Sequence, residues 1–193
     1  AVAIGGAAGL SNQGTFSVAI GSYAGNTQQR RAAVAIGAFA GNYQQDASSI
    51  AIGYQAGFTS QSTTSIAIGY QAGQTNQNCN AVAIGNQAGA YLQQVATIAI
   101  GEQAGYTNQG QKSIAIGQLA GSTSQCNNAV AIGAGAGKLN QGATTVAIGD
   151  LAGEQNQKVK AIAIGENAGQ SNQGTLSIAI GSQAGVFTQG LQA

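Results

Sequence analysis

Proline, methionine, histidine and tryptophan are absent from this 193-residue chain, and only 6% of it is charged. Each shortage excludes something. Without histidine the usual general base and metal ligand is missing. The carboxylates Asp46, Glu102, Asp150, Glu154 and Glu166 are scattered, and only Asp150 and Glu154 come near pairing. With no third acid beside them, they read as a surface pair. No catalytic residue, metal or cofactor is expected, and an enzyme is the least favoured class. Six Lys and Arg against five Asp and Glu leave a net charge of +1. That gives no basic stripe for a nucleic-acid backbone. No apolar run approaches the roughly 18 residues of a membrane span. There is no Asn-x-Ser/Thr sequon. The two cysteines, Cys79 and Cys126, are expected to be free thiols or interchain bridges.

What remains is periodic. Glycine supplies 31 residues, a bias that makes internal repetition the first thing to seek. Gly5, Gly21, Gly37, Gly53, Gly69, Gly85, Gly101, Gly117, Gly133, Gly149, Gly165 and Gly181 stand sixteen residues apart. A second glycine series, from Gly9 to Gly185, runs four residues behind. Gln13, Gln29, Gln45, Gln61, Gln77, Gln93, Gln109, Gln125, Gln141, Gln157, Gln173 and Gln189 keep the same step. Twelve units of sixteen span 1–192, and Ala193 would open a thirteenth. The unit reads [AST]-[VI]-A-I-G-x-x-A-G-x-x-x-Q-x-x-x.

Positions 1–5 of the unit alternate small, branched, small, branched, glycine. Such a period fits a strand with one face buried. The expectation is that Val2 and Ile4, or Ile66 and Ile68, point into a core while Ser65 and Ala67 point out. Gly5 and its equivalents read as corners, and a bend near Gly9 follows from a change of parity. The eleven charges fall only at unit positions 6, 10, 14, 15 and 16, which marks corners and leaves two uncharged walls. One unit cannot bury its own face, but stacked units can, each strand pairing with its equivalent about 4.8 Å away. The reading is an all-β, two-walled parallel β-solenoid of twelve sixteen-residue coils, forming a single domain over 1–193. At that spacing it would be about 58 Å long.

A core of two aliphatics per coil would be thin. Each contributes roughly 1.5–3 kcal/mol, against about 1–2 kcal/mol per residue for ordering the backbone. Hydrogen-bond ladders and lateral association are expected to supply the rest. The Gln column can act as a stacked amide ladder or can satisfy backbone groups at a corner.

The openings SVAIG at 17–21 and AVAIG at 33–37 resemble the repeats in heads of trimeric autotransporter adhesins. Phrases such as AIGYQAGQTNQ at 67–77 are similar to repeat fibre proteins of large DNA viruses and phage tails. The resemblance implies a left-handed β-roll, packing around a three-fold axis, and a place outside a cell or on a virion. The period differs, sixteen rather than about fourteen, and the Gln column has no counterpart in the adhesin motif.

On this reading the small-residue face, or the Ala8/Gly9 wall, packs against copies of the chain. Neither end carries a cap signature, so the chain reads as a segment of a longer fibre or as a unit that stacks end to end. The expected function is a structural fibre or adhesin shaft. The alternative is an ice-binding or glycan-binding solenoid, using the small-residue face or the aromatics, among which Tyr54 and Tyr70 stand at equivalent positions of adjacent coils.

Overall fold

The structure, a computed structural model, describes residues 1–190. The expected start of a thirteenth unit at Ala193 lies outside the described residues. The chain divides into two compact units, Ala1–Ala96 and Thr97–Ala193. Among the described residues every strand is three residues long and no helix forms.

Unit 1 contains β1 (Val2–Ile4), β2 (Val18–Ile20), β3 (Thr27–Gln29), β4 (Val34–Ile36), β5 (Tyr43–Gln45), β6 (Ile50–Ile52), β7 (Thr59–Gln61), β8 (Ile66–Ile68), β9 (Thr75–Gln77), β10 (Val82–Ile84) and β11 (Tyr91–Gln93). One wall is β1-β2-β4-β6-β8-β10, wholly parallel, with Ala51 against Ala67 and Ile52 against Ile68. The other is β3-β5-β7-β9-β11, where Gln45 lies opposite Gln61 and Gln61 opposite Gln77. Unit 2 repeats the plan with β12 (Ile98–Ile100), β13 (Thr107–Gln109), β14 (Ile114–Ile116), β15 (Thr123–Gln125), β16 (Val130–Ile132), β17 (Leu139–Gln141), β18 (Val146–Ile148), β19 (Ile162–Ile164) and β20 (Ile178–Ile180). Its second wall thins after β17 to single bridges, Leu139 to Gln155 and Gln155 to Ser171. Each unit is a parallel β-solenoid. The repeat that gave twelve units closes about eleven turns, since residues 187–190 form no strand.

The coil closes through two tight turns. Ala24 N donates to Gly21 O at 3.2 Å, and Ala33 N to Arg30 O at 3.3 Å. In both, the third residue, Tyr23 or Ala32, has positive φ, as a type II turn requires. Gln28, the middle residue of β3, also has positive φ within the second wall. A side chain in this region costs about 1–2 kcal/mol. The return is visible in the backbone. Tyr23 N donates to Gly6 O at 2.9 Å, Gln28 N to Ser11 O at 3.0 Å and Ala32 N to Thr15 O at 2.8 Å. The strained residues aim their N–H groups at the preceding coil, so the ladder continues through the corners.

The interior corrects the expected face assignment. Ser65 and Ala67 are wholly buried, while Ile66 and Ile68 are only half-buried. Ala51, Ala56 and Gln61 are likewise wholly buried, and Ile84 and Ile100 are exposed. The core is built from the small residues and from glutamine, and the branched aliphatics stand on the outside. The reason is the gap between the walls. A Cβ on Gly57 would meet Gln61 Oε1 at 2.7 Å and Ala51 Cβ at 3.3 Å. No isoleucine fits a space that excludes a methyl group. Invariant alanine at unit positions 3 and 8 is thus a record of close approach between the walls.

Candidate functional site

Three features of this lattice carry chemistry: an internal amide column, an external aliphatic face and a group of aromatic rings.

The column begins in unit 1. Gln29 Nε2 donates to Gln45 Oε1 at 3.1 Å, Gln45 to Gln61 at 3.2 Å and Gln61 to Gln77 at 3.2 Å. Each amide also donates to backbone carbonyls, as Gln45 does to Val34 O at 2.7 Å and, at 3.5 Å, to Ser49 O. In unit 2, Gln125, Gln141, Gln157 and Gln173 form the same chain. The two uses weighed for the column, amide ladder and backbone satisfaction, therefore occur in the same side chain. A buried glutamine is costly unless its amide is bonded, and here its partner is the next copy of itself. Buried hydroxyls are handled similarly: Ser49 Oγ donates to Asp46 O at 2.6 Å and Ser65 Oγ to Ser62 O at 2.6 Å. The amide chain is interrupted in places: Gln125 Oε1 and Gln189 Oε1 are buried and receive no hydrogen bond.

The outer face of the first wall carries two parallel columns of branched side chains, one of Val or Ile and one of Ile. In unit 1 they run from Val2 and Ile4 to Val82 and Ile84. From Val18 to Val82 these side chains are half-buried, and Val2, Ile4 and Ile84 are exposed. The strip is about 10 Å wide and, for six coils, about 29 Å tall. No charged residue stands at unit positions 1–5.

No family model matches the chain, and neither a curated protein nor a solved structure does. The resemblance to adhesin heads and viral fibres is therefore carried by the repeat motif and the β-solenoid fold alone.

The rings gather at the turn opposite the charged corner of unit 1. Tyr54 and Tyr70 lie parallel with centroids 5.5 Å apart, as do Tyr23 and Phe39 at 5.2 Å. Phe39 meets Tyr54 and Phe58 edge-on, and Tyr43 meets Phe58.

Charge is sparse and locally balanced. Arg30 pairs with Asp46 at 3.1 Å over a polar recess of about 230 Å³ lined by Gln28, Gln44 and Ser60. Asp150 and Glu154 are not brought into a joint site: Glu154 forms an ion pair with Lys138 at 3.9 Å and accepts a hydrogen bond from Gln170 Nε2 at 3.0 Å. Cys79 is half-buried and Cys126 exposed, both as free thiols. Among the described residues no three Cys, Asp or Glu side chains gather, and no helix is long and apolar enough to cross a membrane.

Sequence reasoning found the Gln column and the corner glycines but missed the outward aliphatic face. A signal was present. Unit positions 3 and 8 are alanine in every unit, whereas position 2 exchanges Val and Ile freely. A position that tolerates a change of one methylene is less confined than one that never exceeds a methyl group.

Proposed function

We propose that the chain is a structural fibre or adhesin shaft that works by associating with copies of itself, outside a cell or on a virion surface, and that it performs no catalysis. The observation that carries this is the outward Val/Ile face. At about 10 Å by 29 Å in unit 1 alone, it matches the largest apolar patch of a typical monomer, a kind of patch that is often an interaction surface.

The occupant that fits is a second copy of the same wall. The strip is uncharged and repeats at the inter-coil spacing. Only a partner with the same spacing keeps register along its height, and another copy of this wall has it. The small-residue face expected to pack against copies is not on the surface, because Ser65, Ala67 and their equivalents are inside, and in the Ala8/Gly9 wall Ala24, Ala56 and Ala72 are buried as well. Three copies around an axis, as in the adhesin resemblance, would let each strip meet two others and leave none facing water. For the same reason the small-residue face offers nothing to ice.

The test is the mass of the purified chain by sedimentation or light scattering at micromolar concentration, with electron microscopy for cross-section. The expected result is a discrete multiple of the 18.9 kDa chain in elongated particles. A monomer at that concentration would overturn the reading.

A further inference from the structure

The aromatic group of unit 1 is not part of the periodic scaffold. Tyr54 and Tyr70 hold unit position 6, where the next coil has Asn86. Tyr23 and Phe39 hold position 7, where later coils have Gln55, Gln71 and Gln87. The fold closes the same turn with an amide or a ring, so the rings are not needed for the turn. They are also partly open. Tyr23, Tyr43, Tyr54 and Tyr70 are each 43–50% exposed.

Their packing leaves ring faces accessible. Parallel rings in contact lie about 3.5 Å apart in their planes. Centroids 5.5 Å apart, as in Tyr54 and Tyr70, therefore imply a slip of about 4 Å. Much of each face lies outside the overlap. The two parallel pairs are set nearly at right angles, with 79° between Phe39 and Tyr54. The surface thus offers apolar ring faces in two orientations, phenol hydroxyls, and a set of amides. Gln71 and Gln74 both donate to Gln55 Oε1, at 2.9 and 3.3 Å.

Charge selects among partners. The three charged side chains of unit 1, Arg30, Arg31 and Asp46, all belong to the other turn of the coil. No charged side chain stands among the rings to form an ion pair with an anionic or cationic polymer. A neutral ligand with apolar C–H faces and many hydroxyls matches both the rings and the amides. We infer that this turn of unit 1, centred on Tyr54 and Tyr70, binds a neutral polysaccharide. The site is independent of the proposed self-association, because it lies on a different part of the coil from the Val/Ile face.

The experiment uses the full chain in native affinity gels containing a soluble neutral glucan, xylan or galactomannan, with alginate and chitosan as charged controls. Because the chain has no tryptophan, tyrosine emission reports binding directly in a matched titration. The variant is Tyr54→Asn with Tyr70→Asn, which places at position 6 a residue the lattice already uses there. A second variant, Tyr54→Phe with Tyr70→Phe, keeps the rings. The expected result is retardation by at least one neutral polymer, weakened about tenfold or more by the Asn pair and less by the Phe pair. Circular dichroism and particle mass should stay those of the wild type. Retardation by charged polymers only, equal binding by the Asn pair, or no binding to any neutral polymer at millimolar sugar would overturn the inference. So would capture of a protein partner through these rings with no sugar response.

Discussion

Gln61 Nε2 donates to Gln77 Oε1 across 3.2 Å, and both side chains are wholly buried. Two amides sixteen residues apart thus meet inside the solenoid. The Gln61 amide group also bonds Ile50 O at 2.7 Å. Gln61→Leu keeps the volume but leaves Gln45 without its acceptor and Gln77 without its donor. The expected loss is about 2–4 kcal/mol, read as a fall in the denaturant midpoint with little change in slope.

Gln61→Glu should make stability depend on pH. Burial in an uncharged interior disfavours the carboxylate and raises the folded-state pKa. The unfolded chain releases that proton near about pH 4.3. Above that value the unfolded state binds fewer protons than the folded one, so stability falls as pH rises until the folded-state pKa is passed. Melting at pH 4 and pH 7 checks the sign. Relative to wild type, the variant should be less impaired at pH 4. Equal impairment at both values would mean that the position is reached by water.

Glycines of the lattice divide by environment. Gly37 has φ of +123°, and a Cβ there would meet Gly53 O at 2.7 Å. Gly37→Ala is expected to cost about 2 kcal/mol or more. Gly6 has open space around it, so Gly6→Ala should change stability by no more than about 0.5 kcal/mol. Thermal melts of the two variants make the comparison.

Thr144 sits at φ of 56°, an unfavourable region for a β-branched residue. Asn128 holds the same turn position one coil earlier at φ of 57°. Thr144→Asn should therefore stabilise the chain by about 0.5–1 kcal/mol. The single hydroxyl bond lost, Thr144 Oγ1 to Ala143 O, is solvent-exposed. Urea unfolding measures the gain.

Periodicity revealed the coil, the walls and the Gln column because each depends on repetition, which a single chain displays. It did not reveal which face of the first wall is inside. An alternation such as Ser65-Ile66-Ala67-Ile68 has two faces, and hydrophobicity favours burying Ile. The choice is made by the distance between walls, which Ala51, Gly57 and Gln61 set together and which no one strand encodes. Residues with positive φ were illegible for a related reason. Tyr23, Gln28 and Ala32 hold that conformation through hydrogen bonds to the preceding coil, so the cause is the stack rather than the residue type. The aromatic cluster was partly legible: Tyr54 and Tyr70 share a column, whereas the contacts of Phe39 with Tyr54 and Phe58 cross columns.

The inside-out wall is tested most directly by two neighbouring substitutions, Ala67→Lys and Ile68→Lys, measured by circular dichroism and by sedimentation. Ala67 is wholly buried and Ile68 lies on the outer face. Ala67→Lys is expected not to form the β-solenoid, because an ammonium would enter the space held by Gly73 and Gln77. Ile68→Lys is expected to keep the wild-type spectrum and to lower the particle mass. A folded Ala67→Lys beside an unfolded Ile68→Lys would contradict the inside-out wall.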